Sequence, residues 1–89
     1  MEQPSRQEIK LNPAHAFGHT LRYFRAKLKI SQERLSQESG LDRSYISLLE
    51  RGLRQPSLTT LLQLAKAFNI SSVELILKVE ELISENHQD

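Results

Sequence analysis

No cysteine occurs in this chain of 89 residues. Disulfides, thiolate metal sites and a cysteine nucleophile are therefore excluded. No apolar run approaches bilayer-spanning length, and no basic, apolar and small-residue leader opens the chain, so a soluble cytoplasmic protein is the expectation. Glycine is scarce, with three residues and none clustered, which leaves no glycine-rich phosphate loop. Histidine is equally sparse, and none is placed to activate a serine. His15 and His19 fall four apart on one helical face, but His87 is far off in the C-terminal tail. A solvated helix face is the better reading than a metal site. Neither enzyme chemistry nor a cofactor has a foothold.

Charge of one sign is also lacking: the net value is +1 with the histidines neutral. Its distribution is more informative. Residues 1–54 carry ten Lys/Arg against six Asp/Glu, whereas residues 55–89 carry two against five. The basic half fits a partner rich in phosphate, although chance produces a bias of this size equally well. At this length there is room for one domain, and so small a core favours all-helical packing or a dimer.

What is present is helical punctuation. Residues 1–11 are polar, contain Pro4 and lack any period, which predicts a disordered tail; Arg6 and Lys10 could form an arm, a frayed end being the plainer reading. The remainder, 12–86, reads as one domain. Asn12-Pro13 is a helix start, a capping Asn followed by proline at the first helical position. A first helix is predicted over about 13–28, with Phe17, Leu21, Phe24 and Leu28 on one face. Lys29 at its exit is expected in a left-handed conformation. Further helices are predicted over about 32–39, 43–51, 58–68 and 72–84 or slightly beyond. Ser31, Asp42, Ser57 and a Ser71–Glu74 capping box start them. Gly40 and Gly52 mark bends, and Pro56 stops continuation. The fourth helix is apolar over much of its circumference, which predicts the most buried element.

The stretch 31–51, SQERLSQESGLDRSYISLLER, organises the rest. Two short helices meet at Gly40, with Leu35, Leu41, Ile46 and Leu49 placed to lock their angle. Arg43, Ser44, Tyr45 and Ser47 are left on the outer, N-terminal part of the second. That is the geometry of a helix-turn-helix, whose second helix places its N-terminal residues on base edges in the DNA major groove. Arg43 is the first candidate for a base, because a guanidinium reaches guanine O6 and N7 together. Ser44 suits a base edge, a phosphate or no role at all, and Ser47, one turn on, is a weaker base candidate. Tyr45 is expected on the groove wall with its hydroxyl on a phosphate, or half-buried against the preceding helix. Arg51, Arg54 and Gln55 flank the helix end and are candidates for the DNA backbone, with one of the two arginines favoured over both. Arg22 is weaker again.

From about residue 17 to 77 the chain resembles the phage lambda repressor and Cro type of helix-turn-helix, the XRE family. The resemblance rests on SQERLS, the turn Gly40, SYISLLERG, PSLTTLLQLAKAF and ISSVEL in that order and spacing. LDRSYISLLER is also similar to the controller proteins of restriction–modification systems. The resemblance implies an all-α, compact five-helix domain, mostly bacterial or phage, that binds an operator as a dimer. It implies that Gln32 bonds a phosphate and braces the reading helix, and that Arg25 and Glu50 pair across the first and third helices. Two departures stand out. Lys29 occupies a place usually held by glycine, and Ser47 and Leu48 stand where relatives place longer polar side chains.

The fifth helix carries two adjoining apolar strips, Leu75, Val79 and Leu82 beside Ile76, Val79 and Ile83. One strip should pack on the first and fourth helices, and the other, with or without residues of the turn between the fourth and fifth helices, is assigned to a two-fold contact, unless both strips are used within the monomer. The expectation is a homodimeric, sequence-specific transcriptional regulator of double-stranded DNA. An antitoxin with a protein partner and an interaction module without DNA binding are the alternatives.

Overall fold

The computed structural model describes residues 12–86, and each helix in it has a visible local cause. The expected tail over 1–11, with Arg6 and Lys10, lies outside the described residues, as does His87. In chain order the elements are α1 (Pro13–Leu28), α2 (Gln32–Ser39), α3 (Arg43–Glu50), α4 (Leu58–Phe68) and α5 (Ser72–Asn86). Among the described residues no single helix is long and apolar enough to cross a membrane.

Side chains of Asn12, Ser31, Ser57 and Ser71 accept the backbone N–H three residues on, satisfying a donor that the first turn leaves open. Asp42 departs from expectation. It sits at the cap position of α3 without a capping bond, because its carboxylate accepts the Ser44 hydroxyl at 2.6 Å instead. Lys29 is left-handed at φ 57° and ψ 47°, and the Ile30 N–H returns to the Arg25 carbonyl at 3.0 Å. The third helix ends at Glu50, one residue early, and the Leu53 N–H closes it onto the Leu48 carbonyl.

One cluster holds the helices together: Phe17, Leu21 and Phe24 from α1, Leu35 from α2, Ile46 and Leu49 from α3, Leu64, Ala65 and Phe68 from α4, and Leu75 from α5. Burying each large member contributes about 1.5–3 kcal/mol. The first helix lies against α5 and α3, and α2 lies against α4 and α3. Contact between α1 and α3 is very close at Gly18. A Cβ there would lie 2.5 Å from the Glu50 carbonyl oxygen and 2.7 Å from that of Leu49.

Three expectations need correction. Leu28 is exposed rather than on the buried face of α1, because the chain reverses at Lys29 and Ile30 packs on the cluster. The fourth helix is not the most buried element, since Leu58 and Leu62 face outward and a larger share of α3 is covered. Leu75, on one of the two strips offered for a dimer contact, is fully buried in the monomer core and is unavailable for such a contact.

Candidate nucleic-acid interface

The bend between α2 and α3 is held by short side chains as well as by glycine. Gly40 adopts φ 77°, a region that a Cβ would make strained. The Ser36 hydroxyl donates to the Leu41 carbonyl at 2.5 Å, and the Ser39 hydroxyl accepts the Leu41 N–H at 3.2 Å. From α4, the Gln63 amide donates to the Ser39 carbonyl at 3.3 Å. Leu35, Ile46 and Leu49, all fully buried, fix the helix angle beneath. Neither these serine bonds nor Gln63 was singled out by sequence reasoning; a serine two to five residues from a turn is the only local signal.

This scaffold leaves Arg43 and Ser44 exposed at the N-terminal end of α3. The Ser44 proton is engaged by Asp42, so its oxygen remains an acceptor for a base amino group. Ser47 is half-buried, and its carbonyl receives the Arg51 Nε at 3.4 Å. Tyr45 is half-buried against the core, with its hydroxyl 3.4 Å from the Thr60 hydroxyl of α4. That leaves the ring fixed and the hydroxyl loosely held. Arg51, Arg54 and Gln55 stand exposed in the connection after α3.

Behind the exposed end lies a charged network. Arg25 meets Glu50 through two bonds, Nε to Oε2 at 2.6 Å and Nη2 to Oε1 at 2.9 Å. Its remaining nitrogen donates to the Ile30 carbonyl at 3.0 Å. The bond to Glu50 raises the proton affinity of the Arg25 guanidinium, burial opposing it and the Glu50 charge reinforcing it. The Glu50 side chain is 3% exposed, so removing Arg25 would leave a buried charge uncompensated. Gln32 donates to the same Glu50 oxygen at 2.9 Å, and its own oxygen lies 3.4 Å from Arg43 Nη1. Four of the expected residues, Arg25, Glu50, Gln32 and Arg43, are thus brought into one network.

Arg22 serves the scaffold here. It donates to the backbone carbonyl of Glu50, at the C-terminal end of α3, where a cation suits the helix dipole. Its second nitrogen lies 2.8 Å from His19 Nδ1. Burial first, then the Arg22 and His15 charges, lower the proton affinity of His19. His15 stays at the helix start, 3.1 Å from the Asn12 side-chain oxygen.

Leu58 of α4 and Val73, Ile76 and Leu77 of α5 line an apolar groove with the half-buried Leu61. Leu58 is 73% exposed and Val73 is 66% exposed. Of the residues expected at a two-fold contact, Ile76 belongs to this groove, whereas Val79, Leu82 and Ile83 are half-buried. Leu58 was missed there because the fourth helix was read as an internal element, and Val73 and Leu77 because they fall outside the two strips assigned to the fifth helix.

Five helices among the described residues, with α2 and α3 joined at a braced turn, define a helix-turn-helix protein. The helix-turn-helix family model matches residues 21–75, and the chain belongs to the XRE-type helix-turn-helix family of DNA-binding transcriptional regulators. It is 38% identical over 64 residues to an HTH-type transcriptional regulator of Sinorhizobium fredii, y4dJ, spanning 72% of this chain and 83% of that one. The restriction–modification controller protein C.AhdI of Aeromonas hydrophila is similar in structure, with a TM-score of 0.68 and 47% identity over 70% of this chain and 94% of that one. The controller protein C.Esp1396I, solved as a tetramer with its natural 35 base-pair operator, aligns with a TM-score of 0.76 and 26% identity over 81% of this chain and 95% of that one.

Proposed function

We propose that this chain is a cytoplasmic transcriptional regulator that binds an inverted-repeat operator as a homodimer. The observation that carries the reading is Arg43, exposed at the N-terminal end of an α3 whose other end is anchored by Arg22 and Arg25. In this reading Arg43 takes a guanine, and Ser44, as an acceptor, takes an amino group of a neighbouring base. Ser47 is a subsidiary base contact. Gln32, Tyr45, Arg51, Arg54 and Gln55 face the sugar–phosphate backbone and set register. Relatives described as controller proteins, one of them solved on its operator, support the same reading.

A second copy of the chain occupies the groove formed by Leu58, Val73, Ile76 and Leu77. A two-fold axis there would present two reading helices to successive major grooves, about 34 Å apart.

Selection from a random-duplex pool tests the proposal. A palindromic consensus is expected, with affinity well above that for random duplex. Arg43→Ala should lower that preference about five- to a hundredfold, since one bidentate base contact is worth roughly 1–3 kcal/mol. Equal affinity for every duplex, falling steeply with salt in the same way, would overturn it.

A further inference from the structure

The Ser44 hydroxyl already has a partner within its own chain, and that partner decides what it offers to others. Its oxygen lies 2.6 Å from Asp42 Oδ2. An ionised carboxylate only accepts hydrogen bonds, so the hydroxyl donates and the direction of this bond is fixed. The bond is made in place of another. Asn12, Ser31, Ser57 and Ser71 each turn a side-chain oxygen to the start of a helix, whereas Asp42 at the start of α3 makes no such bond. Asp42, Arg43 and Ser44 are all exposed, so the pair stands on the surface assigned to base edges.

We infer that Asp42 is a specificity-determining residue that acts through Ser44, by holding its hydroxyl as an acceptor. The inference deepens the proposed reading and rests on it. A free serine hydroxyl rotates, donating to one base and accepting from another, and so discriminates little between them. With its proton committed to Asp42, the Ser44 oxygen presents only lone pairs. In the major groove the bases offer two donors, adenine N6 and cytosine N4, while guanine O6 and N7, adenine N7 and thymine O4 accept. Ser44 therefore selects adenine or cytosine at the base it faces. Guanine and thymine are turned away, because their oxygens would meet an oxygen with no proton between them. The Asp42 charge acts separately, repelling phosphate whatever the sequence.

The test is a double-variant cycle on the selected operator. Dissociation constants are measured for the operator and for its three changes at the base pair where Ser44→Ala loses preference. The proteins are the wild type, Asp42→Ala, Asp42→Asn, Ser44→Ala and the double alanine variant, each verified as folded by thermal melting. Asp42→Ala should reduce the preference for adenine or cytosine at that position about three- to tenfold, the effect of one hydrogen bond. Asp42→Asn keeps an acceptor oxygen without the charge and should retain the preference. In the Ser44→Ala background, Asp42→Ala should change it no further. A loss that persists in that background makes Asp42 a direct base contact. A loss as large in Asp42→Asn makes the charge responsible, and an unchanged preference in Asp42→Ala makes the bond incidental. Each of these overturns the inference, as does a Ser44→Ala variant without effect at any position, and each leaves the functional reading standing while Arg43→Ala still lowers operator preference. Failure of selection to yield any consensus takes down the functional reading and this inference together.

Discussion

Lys29 is the residue whose local conformation is most at odds with its identity. Its left-handed backbone costs a residue with a Cβ about 1–2 kcal/mol, which the turn between α1 and α2 tolerates because Ile30 must reach the core. Lys29→Gly should raise stability by up to about 1 kcal/mol, part of the relief being offset by the greater freedom of glycine in the unfolded chain. Thermal unfolding should register a rise of a few degrees, with DNA affinity unchanged. This conformation was readable in advance, since a helix exit constrains one residue and its immediate neighbours. Ser44 and Asp42 were not readable in the same way. Two polar side chains two residues apart had a choice between bonding each other and serving the helix end, and periodicity does not weigh that choice. Nor does Gln32 announce its partner, because Glu50 lies 18 residues away along the chain.

Between elements, the joint that matters most is the one where α1 touches the end of α3. Gly18 lets the two backbones meet there, and Arg22 bonds the same carbonyl that a Cβ would strike. Gly18→Ala should destabilise the fold by about 1–3 kcal/mol, as overpacking does when the obstructing atoms are backbone. Urea unfolding reads that loss directly. An unchanged midpoint would mean that the two helices separate without penalty. Helix limits came through well from capping residues, whose chemistry is local. Which face each helix buries came through less well. Apolar residues over much of the circumference of α4 and two strips on α5 allow several packings. The bend of 104° between these helices, which exposes Leu58 and withdraws Leu75, is decided by the rest of the fold.

For the whole molecule, the exposed groove of α4 and α5 is the surface to test for self-association. The proposed dimer predicts a monomer–dimer equilibrium in sedimentation experiments. Replacing Leu58 and Leu77 with glutamate should shift it to monomer while the helical signal is retained. Operator affinity should then fall and the preference for two half-sites over one should vanish, because the gain from linked binding is lost. A wild-type protein that stays monomeric at tens of micromolar, both free and on DNA, would overturn the assembly without touching the reading helix. That helix has its own dependence on the remainder of the chain. Eight residues are fewer than the 12–15 or so at which isolated helices become even marginal in water. Cut out as a peptide, α3 would keep its letters and lose its shape, so recognition here is a collective property, surrendered whenever the surrounding domain melts.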